Sequence, residues 1–317
     1  MVWAEFANLK FSEVKIVLVS LRKLSVSNFR HVISANVIHG HHIKSTVMFI
    51  LFNLVLKRKL VFTSHGSFSY LSRTNRFLLK IVYCFSDEVF FVNKYLFDIL
   101  PINYKKVLKN KYKIILNGVE LDICYTKKDM YTKYELQSTD KIIFHPARFV
   151  REKNHKILLQ AFKRLLEDGD KYRLILAGDG YLKEDIRSQI KELSLDGYVS
   201  IIGVVDRNDV YNLMEIAELF VMPSISEGLN VAFLEALSLN QKILVSNIDQ
   251  FTYPFDKYNL LATNYNVYFT SPTNPEEMYR KMKSALLETR KLGLDIDDFS
   301  LGTMMEHYIK SYEKIIL

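Results

Sequence analysis

The strongest constraint on this chain is a rhythm. From residue 141 to 246, short runs rich in β-branched and apolar residues (141–146, 173–177, 198–202, 219–222 and 242–246) alternate with stretches whose apolar residues recur at helical spacing. Ile157, Leu158, Ala161, Phe162 and Leu165 are one such set. That alternation is the signature of βαβ units around a parallel sheet. The same rhythm is fainter near the N-terminus, where 14–20, 37–39, 60–64, 88–92 and 113–116 read as strands. The fold class expected is therefore α/β, with no internal repeat and no low-complexity tract.

At 317 residues the chain exceeds the size at which a single core keeps growing, so two domains are expected. Charge suggests where they divide. Residues 1–122 carry 18 Lys and Arg against 7 Asp and Glu, a balance of +11, whereas residues 123–317 carry 25 against 28, or −3. A basic half calls for an acidic partner: nucleic acid, anionic lipid headgroups or a phosphorylated substrate. With 49% hydrophobic and 25% charged residues there is ample material for packed cores. Cys84 and Cys124 have no metal-ligand spacing and are too few for a disulfide framework, so both are expected to be reduced packing residues in a cytosolic protein. The longest apolar run, 47–56, is ten residues and ends at Lys57, Arg58 and Lys59, against about 20 needed to span a bilayer. It reads as a buried or interfacial helix. The N-terminus lacks the pattern of a secretory signal.

In open α/β sheets ligands bind beyond the carboxyl ends of the strands, and the residues there are informative. After the strand at 141–146 come Arg148, Arg151, Lys153 and His155, leading into a helix. After 173–177 comes Gly178-Asp179-Gly180, and after 219–222 comes Ser226-Glu227-Gly228-Leu229-Asn230, followed by a helix starting at Val231. A glycine-containing turn into a helix offers backbone N–H groups and the helix dipole to a diphosphate. Arg148 and Lys153 supply positive charge beside it. Glu235, inside the helix, can accept hydrogen bonds from both hydroxyls of a ribose, and Glu227 then lies near the sugar end of such a ligand. Taken alone, two glutamates eight positions apart are an ordinary solvated pair; Arg151 and Lys156 read as surface charges, His155 as a loop residue, and Asp179 as a turn cap.

The ordered runs HPARFVREKNHKILLQAF, LILAGDGYL and LFVMPSISEGLNVAFLEAL resemble the donor domain of GT-B glycosyltransferases, in particular the retaining family four, the glycosyl transferases group 1. The resemblance covers about 110 residues and implies two Rossmann-like domains facing a cleft. It implies that Arg148 and Lys153 contact the donor diphosphate, that Glu235 binds the ribose and that Glu227 lies beside the donor sugar. It also places Gly178, Gly228 and the backbone of Leu229, Asn230 and Val231 at the donor, and the backbone near Val204 at the base. On the acceptor side His39, His65 and Gly66 resemble family segments in which a histidine faces the reaction centre. His65 and Glu227 are the catalytic candidates, with no nucleophile role given to Glu227. The triple His39, His41 and His42 lacks a carboxylate spaced to complete a zinc site.

The domains implied are an acceptor-side domain at 1–122, a donor domain at 123–302 and a final helix at 303–317 packing back toward the first domain, with the hinge near 117–125. The first domain is shorter than the family usually shows by about one βαβ unit, and no glycine-rich loop precedes Val14. The reaction implied is retaining transfer from a nucleoside diphosphate sugar, UDP-sugar favoured, to a hydroxyl of a glycan or polyprenyl-linked acceptor, as in the synthesis of bacterial surface polysaccharide. No metal or other cofactor is expected. The implied location is cytoplasmic and peripheral on the inner membrane face, with Lys57, Arg58, Lys59, Arg73, Arg76 and Lys80 against anionic headgroups. The alternative is a non-catalytic partner subunit that binds nucleotide sugar. A nucleic-acid binder lacks a helix-turn-helix, RNP or zinc pattern, and a sugar-nucleotide epimerase lacks the SEG and LEA segments.

Overall fold

A computed structural model describes residues 32–120, 126, 128–169, 171–228, 231–258, 260–292 and 295–317. The expected strand at 14–20, Cys124, Leu229 and Asn230 lie outside the described residues. Contacts divide the chain into two compact units, Met1–Gly118 with Asp298–Leu317, and Val119–Asp297.

In the first unit the described strands are β1 (Val37–Gly40), β2 (Lys59–Ser64), β3 (Glu88–Phe91) and β4 (Tyr112–Ile114), hydrogen-bonded in that order and parallel throughout. Helix α1 (Ile43–Leu56) joins β1 to β2 and α2 (Arg73–Phe85) joins β2 to β3; α3 (Lys94–Asp98) and α4 (Ile102–Leu108) precede β4. β3 is apolar on both faces apart from Glu88 and buried throughout, as a central parallel strand must be when both faces are covered. One face packs on Leu79, Val82 and Tyr83 of α2. The other receives Leu301, Met305 and Tyr308 of the last helix, which cluster with Val61 and Phe90. Cys84 is exposed near the end of α2 rather than a packing residue, because that helix turns Leu79, Val82 and Tyr83 inward and leaves position 84 outside.

The second unit continues with α5 (Met130–Lys133), β5 (Lys141–Pro146), α6 (His155–Glu167), β6 (Tyr172–Ala177), α7 (Lys183–Glu192), β7 (Val199–Gly203), α8 (Arg207–Ile216), β8 (Leu219–Met222), α9 (Val231–Ser238), β9 (Ile243–Ser246), α10 (Asp249–Tyr258), β10 (Val267–Thr270) and α11 (Pro275–Leu287). The last helix, α12 (Leu301–Ile316), belongs to the first unit. The sheet of the second unit has the order β10-β9-β8-β5-β6-β7, all parallel. From β5 the chain winds outward through β6 and β7, then returns to β8 on the other side. The switch point therefore lies between β5 and β8, where a doubly wound sheet opens a crevice at the strand carboxyl ends. Ile142, Ile143, Phe144 and Leu219 through Met222 have no exposed surface, so the two strands flanking that crevice are anchored in the core. Helix starts are marked by side chains: Asp206 accepts from the Asp209 amide at 2.9 Å, and Asn274, with Pro275 at the first helical position, accepts from two amides of α11 at 3.1 Å.

Candidate functional site

Three loops meet at the carboxyl ends of β5, β6 and β8. The loop after β6 is pressed against the loop after β5: the Phe149 amide donates to the Asp179 carbonyl at 2.9 Å, the Leu182 amide to the Phe149 carbonyl at 3.1 Å, and the Ala147 amide to Ala177 at 2.8 Å. Gly178 makes that approach possible. Its φ of +147° is one that L side chains rarely adopt, and a Cβ there would stand 2.0 Å from the Ala147 carbonyl oxygen. The resemblance had set Gly178 at the ligand; the structure also gives it the task of packing one loop on another.

Asn154 ties in the third loop. It sits in the left-handed region at φ 58° just before α6, and its Nδ2 donates to the carbonyls of Pro223 (2.9 Å) and Pro272 (2.8 Å). Thus one side chain holds the loops after β8 and β10 against the start of α6. Beside it Lys153 pairs with Glu227, whose Oε1 also accepts from the Ser224 hydroxyl; the side chains of Lys153 and Glu227 are only 12% and 7% exposed. Two of the expected donor residues are therefore direct partners. Arg148, on the same loop, is exposed, with no ion pair or hydrogen bond to its guanidinium among the described residues. Lys153 is charge-matched and Arg148 is free for an anion.

Glu235 lies on α9 and is 6% exposed. Its Oε1 accepts from Arg207 Nη2 and from the Tyr211 hydroxyl, each at 2.8 Å. Val231 begins α9 with 45% exposure, Gly228 is half-buried just before it, and Val204 after β7 is 79% exposed. His155 is not a loop residue. It is the first residue of α6 and 3% exposed, packed edge-on against His145 and Phe149, because the αL turn at Asn154 starts the helix with that side chain facing inward. Burial, then the charge of Lys153, lowers its pKa to about 4. His145 is likewise held well below 6.5 by burial, and its Nδ1 lies 2.7 Å from the Val221 carbonyl, to which it donates.

The acceptor-side candidates belong to the first unit. His39 is wedged inside it: Nδ1 is 2.6 Å from the Tyr312 hydroxyl and Nε2 is 2.7 Å from the Thr63 hydroxyl. Both nitrogens are engaged, so His39 braces its neighbours. It stacks on His41 with centroids 4.3 Å apart, and His41 Nδ1 lies 2.9 Å from His65 Nε2. Desolvation, then neighbouring imidazole charge, lowers both His41 and His65 to about 4. His65 and Gly66 follow β2 and line a cavity of about 530 Å³ with His41, His42, Phe62 and Ser64. Among the described residues no group of three or more His, Cys, Asp or Glu is placed to hold a metal ion.

The sequence reading missed Asn154, Ser224, Arg207 and Tyr211. Arg207 and Tyr211 had a usable signal: they are four positions apart, one turn of helix, at the carboxyl end of β7. Asn154 had a weaker one, an Asn directly before an apolar helix.

A doubly wound parallel sheet with Lys153 and Glu227 paired across its switch point sets those charges where sheets of this class hold their ligands. Glycosyl transferases group 1 is the family whose pattern matches residues 126–295, just over half of the chain, and the chain belongs to that family of transferase enzymes. It is 27% identical over 176 residues to N-acetylgalactosamine-N,N'-diacetylbacillosaminyl-diphospho-undecaprenol 4-alpha-N-acetylgalactosaminyltransferase of Campylobacter jejuni, covering 56% of this chain and 46% of that one. It is 38% identical over 143 residues to the putative glycosyltransferase EpsF of Bacillus subtilis, covering 44% and 37%. The chain thus spans less than half the length of these two curated relatives. Among solved structures, Anabaena HepE in complex with UDP and glucose superposes with a TM-score of 0.74 at 16% identity, over 90% of this chain and 80% of that one. The fold is that of the GT-B glycosyltransferases, α/β with two parallel-sheet domains.

Proposed function

We propose that this chain transfers a sugar, with retention at the anomeric carbon, from a UDP-sugar to a hydroxyl of a glycan or lipid-linked acceptor. The observation that carries the reading is the nearly enclosed Lys153–Glu227 pair, which joins the loop after β5 to the loop after β8 across the switch point of the second unit's sheet, with Arg148 exposed on the first of those loops. Arg148 meets the diphosphate, and Lys153 turns from Glu227 toward it when it arrives, stabilising the charge that develops as the glycosidic bond breaks. Glu235 takes the ribose and Glu227 faces the sugar. In this reading His65 stands at the acceptor end. The leaving diphosphate oxygen accepts the proton of the incoming hydroxyl on the same face, so the sugar passes from phosphate to acceptor oxygen, and UDP leaves with that proton. Two names support the substrate classes: HepE was solved with UDP and glucose, and the Campylobacter relative is named for a diphospho-undecaprenol substrate.

The test is incubation of the chain with a panel of UDP-sugars and a polyprenyl-diphosphate glycan, following UDP release and the anomeric configuration of the product by NMR. An α-configured product from an α-configured donor is expected. An inverted product would overturn the retaining mechanism, and tight UDP binding without turnover would make the chain a nucleotide-sugar-binding partner subunit instead.

A further inference from the structure

The donors that hold Glu235 come from α8, outside the three runs that carry the family resemblance. Arg207 is the first residue of α8 and Tyr211 lies one turn later, so both side chains leave the same face of that helix toward α9. They converge on one oxygen: Arg207 Nη2 and the Tyr211 hydroxyl each donate to Oε1 at 2.8 Å, and no described residue donates to Oε2. The Arg207 guanidinium lies 5.2 Å from the centroid of the Tyr211 ring, so the two donors also brace each other. Tyr211 is 5% exposed, whereas the Arg207 side chain is 53% exposed.

A stabilising ion pair alone would gain by using both carboxylate oxygens, since a bidentate Arg–carboxylate fork is the stronger arrangement. Here the fork is declined and the pair is spent on one oxygen. We infer that Arg207 and Tyr211 are positioning residues for the nucleotide: by pinning Oε1 they present Oε2 to the ribose hydroxyls, which rests on the ribose reading of Glu235 given above. A glutamate has three rotatable side-chain bonds, and holding them before the ligand arrives removes an ordering cost from binding. The gain belongs to the ribose contact alone. It should therefore vanish for a nucleotide that lacks the hydroxyl in question.

The test is calorimetric titration of the full chain with UDP and with 2′-deoxy-UDP. A hydrogen bond to a charged group implies that the unaltered chain prefers UDP roughly ten- to a hundredfold. Tyr211→Phe and Arg207→Met are each expected to weaken UDP about tenfold, to leave 2′-deoxy-UDP within about threefold, and so to collapse the preference; Arg207→Lys is expected to retain part of it. Equal weakening of both nucleotides would mean a purely structural role and would overturn the inference, as would unchanged UDP affinity. Glu235→Ala separates the two levels. If it abolishes the preference while Tyr211→Phe and Arg207→Met leave it intact, the positioning role alone is wrong; if Glu235→Ala also leaves the preference intact, the ribose reading of Glu235 falls with it. Absence of UDP binding to the unaltered chain would overturn both.

Discussion

Lys153 and Glu227 show what a pair of side chains does before any ligand arrives. Both are nearly enclosed, and each charge is tolerable there because the other is present. Lys153→Met strands the Glu227 carboxylate with Ser224 as its remaining partner, and the expected loss of stability is about 3 kcal/mol, measured by urea unfolding. Arg148→Ala, by contrast, removes an exposed side chain and should leave stability within about 0.5 kcal/mol while weakening nucleotide binding. Gly178→Ala meets both a forbidden φ and a carbonyl 2.0 Å away, so a loss of about 2 kcal/mol or more is expected. Residue identities at these positions were legible in the sequence because each follows a strand. Their partners were not: nothing in the spacing of Asn154 foretells that it reaches the carbonyls of Pro223 and Pro272, 69 and 118 positions away. His155 reads as a loop residue in the sequence, whereas the backbone turn at Asn154 rotates that one side chain into the core.

Among elements, strands with long apolar runs were readable and one short strand was not. β5 and β8 have the bounds expected from the sequence, but β10 is a four-residue edge strand behind an Asn- and Tyr-rich turn and offers no run to recognise. Helix α1 has a different lesson. Its apolar run is only partly buried, with Leu51 65%, Leu54 59% and Val55 82% exposed beside Lys57. The cations expected to make a basic patch are in part engaged: Arg58 donates to the Ile33 carbonyl, Arg76 to Ser69, and Lys59 lies 4.0 Å from Asp87. Among the described residues no helix is long and apolar enough to cross a membrane. If α1 rests on a lipid surface, Leu51→Glu with Val55→Glu should abolish co-sedimentation with anionic vesicles; binding unchanged by that pair would reject the helix as the contact. The histidine cluster at β1 and β2 is an element-scale device too. It faces Tyr308 and Tyr312 of α12, with His42 close by. His41 and His65 titrate near 4 when folded and near 6.5 when unfolded, so the unfolded chain binds more protons between those values. Stability is full above pH 6.5 and declines as pH falls toward 4. The melting temperature should drop through that window, and the double variant His41→Gln, His65→Gln should flatten part of the slope, with His155 supplying another part.

For the molecule as a whole, the charge profile divided the chain near residue 122, and the contacts divide it at Gly118. What the profile could not carry is the return of the chain: Asp298–Leu317 joins the first unit, where a Cβ on Gly118 would stand 2.2 Å from the Ser300 carbonyl oxygen. That closure joins residues about 180 positions apart in sequence, beyond the reach of any local pattern, and the expectation that the last helix packs back comes from the family resemblance alone. The second unit was legible because its chemistry is concentrated at strand ends, whereas the first has fewer such signals, and residues 1–31 lie outside the description. The proposed activity requires that the switch point of the second unit hold a nucleoside diphosphate. The most direct measurement is the melting temperature of the chain with UDP, GDP, ADP and CMP, beside the same series for the double variant Arg148→Ala, Lys153→Ala. A ligand that binds only the folded state raises the melting temperature. A rise with UDP that is lost in the variant is the expected result; no rise with any nucleotide, or an equal rise in both proteins, would contradict the assignment.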